Sequence, residues 1–208
     1  MTQTIGMSPA TTRALRIAGW SLAAGLLALP AVAMQFTEEV DWSAGDFLFA
    51  AIMFAIVGGL LELAARASAS LAYRVGAAVA VATGLLTVWI TLAVGIVGAE
   101  DDPRNLVYFA VVGIAVCSAV TALGNPRALA RAMWITAAAQ VLVGSLHLTG
   151  TAQPAVPIDG FFALTWFVAG ALFARAAREL AAGGGVNPPR EPDVLTGAAR
   201  HSRELPLK

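Results

Sequence analysis

Residues 46–65 read DFLFAAIMFAIVGGLLELAA, and this stretch decides the class of fold. Between Asp46 and Glu62 it contains no charged residue, and it lacks the alternation of polar and apolar residues that marks a barrel strand. An α-helix needs about 20 mostly apolar residues to cross the hydrocarbon core of a bilayer. The stretch therefore predicts a membrane-spanning helix.

Apolar runs of similar length lie on both sides of this stretch. Working outward from it, we predict six spanning helices at residues 14–34, 46–65, 73–98, 105–124, 129–149 and 158–177. The connecting segments are short, so we expect consecutive helices to run antiparallel and to pack as hairpins. The predicted fold is an all-α membrane protein, with residues 1–180 forming a bundle of six transmembrane helices.

The composition of the chain agrees with this prediction. Of its 208 residues, 58% are hydrophobic and 12% are charged, against about 25% charged in a typical soluble domain. The mean hydropathy is +0.75. A water-soluble protein of this size could not cover its surface with so few charges, so we predict that a lipid bilayer surrounds it. Residues 181–208, rich in Gly, Pro and mixed charges, predict a flexible cytoplasmic tail.

The basic residues predict the orientation, because cytoplasmic loops carry an excess of Lys and Arg. In the six-span arrangement, twelve of the 13 basic residues fall on one side and only Arg104 falls on the other. We therefore predict that both termini are cytoplasmic. One alternative stays open, because Arg13, Arg16 and the segment Ala31-Val32-Ala33 also resemble a secretory signal with its cleavage site.

Each even-numbered span begins on the acidic side with Asp or Asn and an aromatic-rich turn. The three residues are Asp46, Asn105 and Asp159. Such side chains accept hydrogen bonds from free N–H groups at helix starts, and a negative charge there suits the helix dipole. The pattern suggests three copies of one helical hairpin, although three unrelated hairpin tips could converge on it.

The acidic loops are candidates for a cation site on the outer face. The candidate ligands are Asp41, Asp46, Asp101, Asp102 and His147, which ends the fifth span on the same side. Carboxylate oxygens suit Ca²⁺ or Mg²⁺. Helix capping is the alternative explanation, since Asp102 before Pro103 is typical of an N-cap followed by proline.

Two polar stripes inside the spans are candidates for a polar path. The third span carries Thr83, Thr87 and Thr91, and the fifth carries Thr136, Gln140, Gly144 and His147 on one face. Stripes that faced each other would line a polar cavity, with Gln140 bridging the third and fifth spans or facing a path. In the alternative explanation, the Thr hydroxyls bond back to their own helix and small residues allow close packing.

Two further side chains have simple structural explanations. Glu62 and Arg66 are four residues apart near the basic end of the second span, as expected for an interfacial salt bridge. A Glu that gates ion movement is the alternative. Cys117, the single cysteine, lies in an apolar run, and we expect it to be a buried small hydrophobic residue.

The chain contains the segments Met34-Gln35-Phe36-Thr37 and Glu100-Asp101-Asp102-Pro103-Arg104-Asn105. Both resemble segments of a group of uncharacterised multi-pass inner-membrane proteins of proteobacteria, and the six-span layout also fits that group. The resemblance implies a bacterial inner-membrane location. It implies no activity, substrate or cofactor.

Three functional hypotheses follow. The sequence favours a non-catalytic accessory or interaction subunit, which binds a membrane-protein partner or forms a homo-oligomer. The second hypothesis is a small transporter or channel for a cation or polar solute. The third is a membrane enzyme, which would need an activated nucleophile or metal site that the sequence does not display. No motif indicates a cofactor or nucleic acid.

The interior of the bundle discriminates between the first two hypotheses. A water-filled path past Thr87 and Gln140 would favour transport. A dry bundle with an apolar groove on its outside would favour association.

Overall fold

The structure is a computed structural model of the chain, and it describes residues 9–148 and 155–183. In these ranges the chain forms six α-helices: α1 Pro9–Ala33, α2 Ala44–Ala67, α3 Leu71–Ala93, α4 Leu106–Thr121, α5 Pro126–Leu146 and α6 Val156–Gly183. A 3₁₀ turn, Pro103–Asn105, precedes α4. The six helices, with this turn added to α4, are long and apolar enough to cross a membrane, which confirms the predicted fold class.

Capping side chains set the starts of three helices. Ser43 and Asp46 form a reciprocal capping box at α2, and the Ser70 hydroxyl accepts a hydrogen bond from the Tyr73 N–H at α3. Asn125 caps α5, where Pro126 occupies the first turn. These side chains act as hydrogen-bond acceptors for backbone N–H groups in the first turns of the helices.

The predicted end of the third span at residue 98 is wrong, because α3 ends at Ala93. Gly95 and Gly98 have φ angles of 76° and 67°, which lie in the left-handed region. A Cβ atom on Gly95 would lie 2.6 Å from the Ala99 carbonyl. The segment after α3 therefore folds back as a loop, although its residues are as apolar as those of the helix.

The predicted tail boundary is also shifted. α6 continues to Gly183, so residues 181–183 belong to the last helix and not to a tail. The rest of the predicted tail, residues 184–208, lies outside the described residues.

Helix α6 lies between α5 and α3 and packs along both. Small residues allow these close approaches, since a Cβ on Gly76 would lie 3.1 Å from Leu172, and one on Gly170 would lie 2.5 Å from Trp134. Consecutive helices do contact each other as predicted, but α3 packs more extensively on α6 than on α4.

The expected burial of Cys117 is wrong, because this residue is exposed on α4. The helix faces its neighbours through Tyr108, Val111 and Ala115, which are buried at spacings of three and four residues. Cys117 lies two positions beyond this stripe and so points away from it.

The first helix lies at the edge of the bundle. Only 6% of its span is buried, against 50% of the α5 span, and it packs mainly on α2. The Trp20 ring fits against Gly58, where an added Cβ would lie 2.7 Å from the ring. α1 and α2 therefore form a peripheral pair that joins the bundle where α2 packs on α3.

Candidate functional site

The most unusual group in the interior is the carboxylate of Asp159. It lies in the first turn of α6 and is 2% exposed. Ionisable side chains inside a membrane-spanning bundle are unfavourable unless they are paired, and they mark functional sites more often than other residues do. The surroundings of Asp159 therefore define the first candidate site.

Three side chains from two other helices bind this carboxylate. The Tyr108 hydroxyl donates to Oδ1 at 3.0 Å, and the Gln140 amide donates to the same oxygen at 2.9 Å. Nδ1 of His147 lies 2.8 Å from Oδ2. We refer to Tyr108, Gln140, His147 and Asp159 as the polar cluster. It joins α4, α5 and α6 at the end of the bundle where α5 ends and α6 begins.

Local features of α5 and α6 bring this cluster together. Gly144 lies directly against Asp159, and a Cβ on that glycine would lie 2.9 Å from the Asp159 Cβ. Asp159 is also in the first turn of its helix, where a negative charge is stabilised by the helix dipole. The polar cluster thus depends on the small size of Gly144 and on the position of Asp159 at the start of α6.

Asn105 organises the loop between α3 and α4. Its Oδ1 accepts hydrogen bonds from the N–H groups of Ile96 and Val97, at 3.0 and 2.9 Å. Its Nδ2 donates to the carbonyls of Val97 and Ala99. Ile96 and Val97 pack with Tyr108 in the same buried apolar group, so the loop supports the polar cluster.

The three residues at the starts of the even-numbered spans have three different roles. Asp46 belongs to a capping box, Asn105 holds a loop without capping α4, and Asp159 binds side chains of two other helices. The predicted capping role is therefore confirmed only for Asp46. Triplication of a hairpin stays a prediction.

The two predicted polar stripes are buried. Thr87, Thr136 and Gln140 are each 0% exposed, and Thr83 and Thr91 are nearly as buried. The hydroxyls of Thr83, Thr87, Thr91 and Thr136 all donate to the carbonyl four residues earlier in their own helix. This is the arrangement that the packing explanation predicts.

The expected bridge from Gln140 to the third span is wrong, because its amide reaches Asp159 on α6. The reason is that α6 lies between α3 and α5 and packs against both. In the described part of the chain, two buried polar atoms make no hydrogen bond, Gln140 Oε1 and Trp166 Nε1. A buried acceptor and a buried donor therefore lie unused in the core, which is unfavourable.

The candidate cation ligands are engaged with other groups at several positions. Asp46 accepts from the N–H and hydroxyl of Ser43, and His147 binds Asp159. Asp102 caps the 3₁₀ turn as predicted and pairs with Arg104, whose hydrogen bonds lower the Asp102 pKa to about 2.

Asp41 and Asp101 lie in the two loops that precede α2 and α4. Among residues 9–148 and 155–183, no three His, Cys, Asp or Glu side chains are grouped so that they could hold a metal ion. A cation site built from Asp41, Asp46, Asp101, Asp102 and His147 stays a prediction.

A second candidate site is a groove of about 560 Å³ between α1 and α2. Apolar residues and glycines line most of it, among them Gly19, Trp20, Ala23, Phe54 and Val57. Its other end is charged and includes Arg16, Glu62, Arg66 and Arg74. We call it the α1–α2 groove.

The charged end of the groove contains the predicted salt bridge. Nε of Arg66 lies 2.9 Å from Oε1 of Glu62, and Nε of Arg16 lies 2.9 Å from Oε2. Arg74 donates to the carbonyls of Ser68 and Ala65 at the end of α2. Glu62 thus joins α1 to α2, which the sequence did not indicate.

Sequence reasoning identified Gln140 and His147 but missed Tyr108 and Asp159 as their partners. Asp159 was predicted only as a residue at the start of the sixth span, although it lies 12 residues after His147 and beside an apolar aromatic segment. The short segment between the fifth and sixth spans, with a histidine at one end and a carboxylate at the other, was the sequence signal for this contact. Tyr108 had no comparable signal, because an aromatic residue is common near the end of a spanning helix.

No protein-family model, no curated protein and no solved structure matches this chain.

Proposed function

We propose that the protein is a non-catalytic accessory or interaction subunit of the bacterial inner membrane, which works by binding another membrane protein. The closed interior carries this proposal. Thr87 and Gln140, which a transport path was expected to pass, are 0% exposed. The hydroxyls of the Thr stripes are satisfied by their own helices, so they do not need water or a solute.

The position of α1 supports the same proposal. Its side chains Leu22, Leu29 and Val32 are 65%, 62% and 56% exposed and lie on one face of the helix. A spanning helix that contributes so little to the core offers most of its surface to its surroundings. The apolar groove on the outside of the bundle is the second feature that was expected of an association protein.

Site-specific photo-crosslinking in intact membranes tests this proposal. A photoreactive residue at Leu22 or Leu29 should give a discrete protein adduct, which mass spectrometry then identifies. The same residue at Val116 or Val120, which are 54% and 60% exposed on α4, is the matched control. Absence of any protein adduct from α1, or equal adducts from α1 and α4, would contradict the proposal.

The proposed topology has both termini in the cytoplasm, and the asymmetry of the basic residues supports it. Reporters fused after Lys208 or within residues 124–127 should give a cytoplasmic signal. Reporters near Asp41 or Asp102 should give an external signal. A cytoplasmic signal at Asp102 would overturn the topology.

Proton-coupled transport is a second candidate function, and the polar cluster favours it. His147 and Asp159 are a buried, hydrogen-bonded pair of ionisable side chains, and Gln140 Oε1 is a buried acceptor without a partner in the described residues. Proton flux should be measured in proteoliposomes that contain a pH-sensitive dye. Flux that Asp159→Asn abolishes and Thr136→Val preserves would favour transport over association.

A further inference from the structure

We infer that the α1–α2 groove binds one anionic phospholipid, with its phosphate at the arginines and an acyl chain along the apolar wall. This site is separate from the exposed face of α1 that contains Leu22 and Leu29, because the groove lies on the side of α1 that faces α2. Binding of a lipid in the groove therefore does not require a protein partner on the exposed face of α1.

The shape of the groove suits an amphipathic ligand. Its volume of about 560 Å³ lies within the range of about 300–1,000 Å³ that is usual for small-molecule sites. Trp20, Phe54 and Val57 provide apolar surface, and Gly19 has no side chain to occupy the groove on the α1 side. No heavy atom of another group lies within 4 Å of a Cβ built on Gly19, so this part of the wall is open space.

The charge of the groove suits an anion. Arg16, Arg66 and Arg74 stand against the single carboxylate of Glu62, so the charged end has an excess of two positive charges. Arg16 and Arg66 each contact Glu62 through Nε at 2.9 Å, and their side chains are 53% and 70% exposed. A guanidinium group has five N–H donors, so these exposed groups can also donate to phosphate oxygens.

The charged and apolar parts of the groove follow one another along the axis of α2. Arg66 lies in the last turn of α2, whereas Phe54 and Val57 lie two to three turns deeper. The arginines therefore lie at the level of lipid headgroups, and the apolar wall lies at the level of acyl chains. Basic pockets between spanning helices on the cytoplasmic side are typical sites for anionic headgroups.

Native mass spectrometry of the full-length protein in a neutral detergent tests the inference. Titration with phosphatidylglycerol should give one bound lipid at concentrations where phosphatidylcholine with the same acyl chains does not bind. The variant Arg16→Gln/Arg66→Gln should weaken binding of phosphatidylglycerol by about fivefold for each arginine removed. Arg127→Gln/Arg131→Gln removes the same charge elsewhere on the basic side and should leave binding unchanged.

A second pair of variants tests the groove without changing its charge. Gly19→Trp fills the groove and should abolish binding of phosphatidylglycerol. Gly25→Trp adds the same side chain to α1 at another position where a Cβ meets no atom within 4 Å, and it should have no effect. Inorganic phosphate should not displace the lipid, because the acyl chain contributes to binding.

Three results would overturn the inference. The first is equal binding of the two lipids by the wild-type protein. The second is unchanged binding of phosphatidylglycerol in both Arg16→Gln/Arg66→Gln and Gly19→Trp. The third is a protein dimer that Gly19→Trp dissociates and Gly25→Trp does not, which would assign the groove to a second copy of the chain.

Discussion

Nδ1 of His147 lies 2.8 Å from Oδ2 of Asp159, and this contact joins the end of α5 to the start of α6. Both residues are buried, and the same carboxylate accepts hydrogen bonds from Tyr108 and Gln140. A buried charge without partners is strongly unfavourable in a membrane. The contact therefore favours one relative placement of α4, α5 and α6.

The first prediction concerns this pair of residues. His147→Ala and Asp159→Ala should each destabilise the protein by about 1–3 kcal/mol, because each removes one partner of a buried hydrogen bond and leaves a polar group unsatisfied. The double variant should lose less than the sum, since His147 and Asp159 share one contact that can be lost only once. Thermal unfolding in detergent measures both effects. Strict additivity would show that the two side chains do not interact.

The second prediction concerns Gln140. Gln140→Leu should lower the free energy of unfolding by about 1 kcal/mol, because it removes one hydrogen bond between helices in the membrane. Thr136→Val is the control, since the Thr136 hydroxyl bonds only to its own helix and its loss should change stability little. Equal effects of the two substitutions would contradict the assigned contact with Asp159.

The third prediction concerns the close approach at Gly144. Gly144→Ala should destabilise the protein by about 1–3 kcal/mol, because its Cβ would overlap with Asp159 and force the helices apart. Gly160→Ala in α6 has no neighbour within 4 Å of the new Cβ. It should be neutral, or stabilising by up to about 1 kcal/mol through helix propensity. Equal stability of the two variants, measured by unfolding, would argue against this packing.

The fourth prediction concerns the loop that Asn105 holds. Asn105→Ala should accelerate amide hydrogen exchange at Ile96 and Val97, because their N–H groups lose the Asn105 acceptor. Asn105→Asp keeps an acceptor and loses only the Nδ2 donor, so it should preserve most of the protection. If both variants exchange at the wild-type rate, Asn105 does not hold the loop.

The fifth prediction concerns the Asp102–Arg104 pair and pH. The Asp102 pKa is lowered from 3.8 to about 2 in the folded protein, mainly by side-chain hydrogen bonds from Arg104. A carboxyl group whose pKa is lower in the folded than in the unfolded protein stabilises the fold at pH values above its unfolded pKa. This stabilisation is lost as the pH falls towards the pKa of the folded protein. The melting temperature of wild type should therefore exceed that of Asp102→Asn above about pH 4. The difference should shrink between about pH 4 and pH 2, and a constant difference would contradict the assignment.

The number and positions of the spans could be predicted, because a bilayer imposes the length and composition of any helix that crosses it. The end of α3 could not be predicted in the same way, because residues 94–97 are apolar and only the left-handed backbone at Gly95 ends the helix. Hydropathy records how apolar a segment is, and it does not record the backbone angle at one glycine.

The contacts between helices were harder to predict than the helices themselves. Spanning helices are apolar on all sides, so the face that meets a neighbour carries no clear pattern. This is why Cys117 was expected to be buried and why Gln140 was assigned to the wrong partner helix. Glu62 and Arg66 were predicted correctly because a spacing of four residues is a local relationship within one helix.

The position of α6 in the chain has a consequence for biogenesis. Among the described helices it is synthesised last, yet it supplies the carboxylate that binds Tyr108, Gln140 and His147. Until α6 is inserted, these polar groups of the earlier helices therefore lack the carboxylate that binds them. A nascent chain that ends before Val156 presents them to lipid or to neighbouring helices, where membrane chaperones and proteases can recognise an unfinished protein.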